Sequence, residues 1–390
     1  MSQEIATEVK EENKMGTMPV GKLIFNMSLP MMVSMLVQAL YNIVDSIFVA
    51  KLSENALTAV SLAFPLQTLL IAVGAGTGVG MNALLSKSLG EKNFKKANDT
   101  AANAAVLYIL SYILFLILGF SVVKPFYLSQ IGNADVEIME MGIEYLSTVM
   151  IFSFGLFTQF FFERLLTSTG RTIFSMTSQL TGAVTNIILD PIFIFGLDLG
   201  IKGAAIATVI AQFISASWVL HFLFSDKAIY RIKISCMKLD FKLIKEIVSL
   251  GFSGFVFATT GSLVQIVCNN VLLFWGGNIY VGIMTVLNSI RDVLQMTIEG
   301  IRSGAQPVIS YNYGAGQYLR VRQGIKFLTK IALLYTSIAW CILDFFPEFF
   351  IHLFNSEEEM LLLGVPALHI YFLGFFMMAF QSAGQTTFIS

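Results

Sequence analysis

The chain has 390 residues, 56% hydrophobic and 13% charged, with a net charge of −1 and a mean hydropathy of +0.75. Soluble globular domains carry roughly a quarter charged residues, so 35 Phe and 18 Met find too little polar cover for a water-soluble core, and the bilayer must solvate much of the surface. The near-neutral charge argues against a nucleic-acid partner, and three scattered cysteines (Cys236, Cys268, Cys341) and three scattered histidines (His221, His352, His369) argue against a disulfide framework or a metal centre.

In chain order, residues 1–21 carry Glu and Lys without the apolar core and cleavage site of a secretory signal, and read as a mobile cytoplasmic tail. Ten apolar stretches follow, each near the ~20 residues that a membrane-spanning helix needs. They lie at 22–50, 56–85, 101–124, 140–163, 173–196, 202–225, 246–274, 279–309, 325–347 and 361–388. Charged or turn-forming stretches such as Gly90–Lys96 and Trp275–Asn278 separate them. None alternates in polarity as barrel strands do.

Lys and Arg positions orient the bundle. With the amino terminus inside, nineteen fall in cytoplasmic segments and three (Lys51, Lys124, Lys202) in external ones, a strong positive-inside bias. The other two, Arg291 and Arg302, lie inside the eighth span. A cell (inner) membrane location, multi-pass, with a cytoplasmic amino terminus follows.

The basic stretch 226–245 divides the chain into a front lobe of six spans (22–225) and a back lobe of four (246–390). Gly80…Ser86-Lys-Ser-Leu-Gly90 is similar to Gly304…Ser310-Tyr-Asn-Tyr-Gly314 at an offset of 224 positions, as expected for two parallel repeats. The expected fold is therefore an all-α membrane protein, two pseudo-symmetric helical lobes around a central cavity. The back half lacks a counterpart of 173–225, so about 50–60 further residues are expected in a full-length protein.

Ionisable side chains within a span are costly, about 2.5–3.5 kcal/mol at the helix centre on insertion scales. Asp190 lies inside the fifth span, with Asn186 one turn away on the same face. Pro191 frees a backbone carbonyl as a further oxygen ligand. Thr208 comes level with that face if the sixth span returns directly. Asp45, in the first span, is read as the other buried carboxylate of the front half. Paired carboxylates in an apolar cavity suit a proton; the same oxygens with Asn186 and Thr208 suit a hard cation such as Na⁺. Helix capping is the alternative role for both acids. Gln38, one or two turns from Asp45, either meets substrate or bonds to a neighbouring helix, and Pro30 is placed to kink the first span. In the eighth span Arg291, Asp292, Glu299 and Arg302 form either an internal ion-pair ladder or a second substrate or proton site. The Phe- and Met-rich walls suit flat lipophilic cations, and no triad, metal cluster or phosphate loop points to an enzyme.

The run from Asn186 through Asp190-Pro191, Gly196, Gly200 and Gly203 to Thr208 and Gln212 resembles the fifth-to-sixth helix signature of the multidrug and toxic compound extrusion (MATE) family. Gly304-Ala-Gln-Pro-Val-Ile-Ser-Tyr-Asn-Tyr-Gly-Ala315 is similar to the end of that family's eighth helix, and Pro30, Gln38 and Asp45 match its first. The resemblance implies two lobes in a V and antiport of small, often cationic compounds against H⁺ or Na⁺. It also implies a cation site at Asp45, Asn186, Asp190 and Thr208, a substrate-facing Gln38, no cofactor and no catalysis. A monomer in the lipid bilayer, with small-molecule substrates as its partners, is expected. A lipid-linked oligosaccharide flippase, the other reading, calls for more basic residues in the cavity and no Asn186–Asp190 pair.

Overall fold

A computed structural model describes residues 13–131, 135–223, 239–354 and 358–390. Among the described residues every regular element is helical. A short α1 (Lys14–Thr17) precedes the long α2 (Val20–Leu52) and α3 (Glu54–Gly90), followed by α4 (Phe94–Ser121), α5 (Val123–Ile131), α6 (Val136–Ile151) and α7 (Phe154–Ser168). Then come α8 (Thr172–Pro191), α9 (Gly200–Leu223), α10 (Phe241–Gly314), α11 (Tyr318–Phe345), α12 (Pro347–His352), α13 (Glu358–Phe372) and α14 (Met378–Ile389).

Local chemistry sets the ends. Side-chain oxygens of Ser53, Asn93, Asp135 and Asp240 accept from backbone N–H groups in the first turns of α3, α4, α6 and α10, satisfying donors that a helix start leaves free. A left-handed Gly170 (φ 82°) turns the chain between α7 and α8, a conformation that glycine adopts without penalty.

Among the described residues, seven helical spans are long and apolar enough to cross a membrane, and α6 with α7 makes an eighth. The two arms of α10 occupy the expected seventh and eighth spans, meeting at Gly277 (φ 71°, ψ −165°). Three differences from the sequence expectation have identifiable physical causes. The fourth span is two helices bent by 44°, where Ser153 Oγ bonds to the Met150 carbonyl at 2.7 Å and competes with the helix ladder. The fifth span ends in a π-helical turn, Ile192–Gly196, after Pro191. Residues 13–19, expected within a mobile tail, are docked, because Met15 is fully buried among apolar side chains of α2, α10 and α11.

The lobes exchange helix ends. Leu23, Ile24 and Met27 of α2 are buried against Ile301, Ala305 and Val308 of α10 and Leu328 of α11. Farther along the same helix, Val49 belongs to the front-lobe core with Ala56, Ile194 and Ile201. Reciprocally Ile247, in the first arm of α10, is buried in the front-lobe core. Leu23 and Ile247 are 224 positions apart, the spacing of the sequence repeat. Apolar side chains such as Phe120 and Ile370 point outward, about three quarters exposed, as a lipid-facing surface requires.

Candidate functional site

The candidate site lies where the C-terminal half of α2 meets α8 and α9. Asn186 and Asp190 project from one face of α8, at 2% and 0% exposure. The Asn186 amide donates to Asp190 Oδ1 at 3.1 Å and to Thr208 Oγ1 of α9 at 3.4 Å. Thr208 reaches that level because the chain reverses tightly. The π turn closes through Leu197 N–H to the Ile192 carbonyl at 2.8 Å. Gly203 then packs so close to Phe193 that a Cβ there would lie 2.7 Å from its backbone. A residue larger than glycine at 203 would push α9, and Thr208 with it, away from α8.

Asp45 arrives from α2, its carboxyl in hydrogen-bonding reach of the Asp190 carboxyl. Tyr41 and Tyr145 lie near enough to sense both acids, and Tyr145 accepts from the Gln67 amide at 3.1 Å. Among the described residues, no donor reaches three buried oxygens of this cluster: Asp45 Oδ1, Asp190 Oδ2 and Asn186 Oδ1. Buried acceptors facing acceptors are costly. A proton or a hard cation among them would supply the missing partner, chemistry that an all-oxygen donor set suits.

The remaining sequence candidates lie elsewhere. Gln38 sits half-buried on α2, two turns from Asp45. Pro30 is buried in an α2 that runs unbroken through it, and the Ser34 hydroxyl donates to its carbonyl at 3.0 Å. Arg291 donates to Asp292 Oδ1 through Nε and Nη2, at 3.2 and 2.9 Å, and to the Tyr371 hydroxyl at 2.8 Å. That hydroxyl in turn donates to Asn288 at 2.7 Å. Arg302 pairs with Glu299, its Nε at 2.9 Å. The four back-lobe charges thus form two separate local pairs, not one ladder.

Sequence reasoning missed Glu163. It is 4% exposed and accepts from the Gln159 amide at 2.9 Å and the Gln179 amide at 3.0 Å. The signal was available, since Glu163 falls in the last turn of the fourth span, but Arg164 beside it makes that stretch read as a helix end.

The MatE family model matches residues 30–192 and 255–390, most of both lobes. The chain belongs to the MatE family. Multidrug export protein MepA of Staphylococcus aureus (strain MSSA476) is 26% identical over 302 residues, covering 77% of this chain and 66% of the relative. The match thus spans just under two thirds of that relative's length. The protein of the same name from Staphylococcus haemolyticus (strain JCSC1435) is 26% identical over 365 residues, 90% of this chain and 77% of the relative. A solved MATE structure in complex with MaD3S superposes with a TM-score of 0.90 at 24% identity, covering 97% of this chain and 84% of the other. An outward-facing multidrug resistance MATE family transporter of the MOP superfamily gives 0.90 at 23% identity, with the same coverages. The MatE fold, two helical lobes, is therefore that of this chain, and its relatives are transporters and not enzymes.

Proposed function

We propose that this MatE chain is an antiporter that exports small, often cationic, lipophilic compounds by alternating access, driven by H⁺ or Na⁺ entering at Asp45, Asn186, Asp190 and Thr208. The carrying observation is the cluster of buried oxygens without donors where α2 meets α8. Two carboxylates in contact cannot both stay charged without a cation between them. With one bound, Asp45 is held against Asp190 and α2 is seated on the front lobe. Without it, like charges push α2 off α8. Because the inner half of α2 is built into the back lobe, that displacement moves one lobe against the other. The name multidrug export protein, carried by the Staphylococcus relatives, supports the substrate class. The Lys and Arg distribution supports a cell-membrane protein with its amino terminus inside, which acts as a monomer with the bilayer as its surroundings.

The test is dye transport in reconstituted vesicles, with an inward pH gradient and an inward Na⁺ gradient imposed separately. Acceleration of export by one of them is the expected result. Transport that reaches only equilibrium under either gradient would show a facilitator and reject the coupling.

A further inference from the structure

The docked segment Asn13–Pro19 lies across the seam between the lobes, at the end of the bundle that carries Lys87, Lys95 and Arg320. On the front-lobe side, the α7–α8 turn meets it: a Cβ at Gly170 would lie 3.1 Å from Lys14 and 3.4 Å from Met15. On the back-lobe side, Gly16 packs against the Tyr311 ring, where a Cβ would stand 3.3 Å from the ring edge. The Asn312 amide donates to the Met15 carbonyl at 3.0 Å. Arg320 of α11 donates to the carbonyls of Met15 at 3.1 Å and Met18 at 2.7 Å, and its Nε donates to Asn312 Oδ1 at 2.7 Å. Beside the segment, Lys87 of α3 stands over the Tyr313 ring at 5.1 Å, another contact from one lobe to the other.

The segment is therefore fixed to both lobes at once. Its carbonyls are held by a charged donor, bonds stronger than those between neutral groups, and Met15 is its apolar plug, at 0% exposure. Any motion that parts the Gly170 turn from Tyr311 and Asn312 must strip it from one side. We propose that Asn13–Pro19 is a latch, fastened by Arg320, that biases the transporter toward the state closed at its cytoplasmic end. This inference rests on the alternating-access reading, because a latch has meaning only if that end opens.

The test places spin labels at Lys95→Cys and Arg322→Cys, exposed positions on α4 and α11, in the full chain with its three native cysteines replaced by serine. Distance distributions by pulsed electron paramagnetic resonance then report how far that end is open. Two latch variants are compared with the parent, Arg320→Ala and Met15→Asp, the second leaving α10 and α11 untouched. Both should raise the ratio of long-distance to short-distance populations about tenfold, a shift this method resolves. Arg320→Lys, which keeps a donor, should restore part of the closed population. A parent that samples the long distance while both variants, monodisperse in detergent, keep its distribution overturns the latch. A parent and variants that stay closed with and without substrate overturn the latch and the alternating-access reading together.

Discussion

Gly90 and Gly314 each pack against the helix end that precedes the other: a Cβ on Gly90 would stand 1.9 Å from the Tyr311 carbonyl oxygen, and one on Gly314 2.1 Å from the Lys87 carbonyl oxygen. Both the two glycines and their two partners are 224 positions apart. The sequence repeat is thus a two-fold contact, and it closes the bundle at the basic end with backbone against backbone.

No rotamer change relieves a clash with backbone, so Gly90→Ala and Gly314→Ala should each disfavour closure of that end. Overpacking in a tight contact costs about 1–3 kcal/mol, so export should fall roughly five- to a hundredfold in each variant. Initial rates of dye export from vesicles at equal protein content check this. Rates within twofold of the parent would mean that the contact is not part of the transport cycle.

The repeat could be read from the sequence because glycine tolerates close approach and few other residues do, so Gly80, Gly90, Gly304 and Gly314 leave a pattern at fixed spacing. The spans could be read because a bilayer demands long apolar runs. The Asn186–Asp190 pair was visible from helical periodicity alone, and Thr208, expected level with it, meets Asn186 through the tight reversal at Gly203. Other features rest on contacts distant in sequence. The reach between Asp45 and Asp190 depends on how α2 sits on α8. Docking of residues 13–19 depends on a Met15 pocket built by three helices, while their own composition is that of a polar tail. The split of the fourth span is local, at Ser153 with Gly155 two residues on, but a serine and a glycine inside an apolar run do not by themselves mark a break.

Glu163 is held by two amide donors, Gln159 and Gln179. Glu163→Leu leaves both half-buried amides without their acceptor, at up to about 1–3 kcal/mol each. A lower midpoint of thermal unfolding in detergent is the expected result. An unchanged midpoint would show that water reaches the two amides.

Lys14 lies outside the spans, and burial, with Arg171 nearby as a lesser cause, lowers its pKa. A lysine with a lowered pKa in the docked state binds fewer protons there than when free. Docking therefore strengthens as pH rises through the window between the lowered value and the ordinary lysine range, and is flat below it. Lys14→Met should dock more tightly and lose this dependence. Protease protection of the amino-terminal segment, followed against pH, checks both, and protection that weakens with rising alkalinity would contradict the assignment.

The most direct measurement compares parent and Asp190→Asn in the same vesicles, for substrate binding and for gradient-driven export. The substitution keeps the shape of the side chain but removes its charge and its capacity to share a cation with Asp45. Binding of the dye within a few-fold of the parent, together with export that neither an H⁺ nor a Na⁺ gradient accelerates, is the predicted result. Export by the variant that still responds to a gradient as the parent does would contradict it.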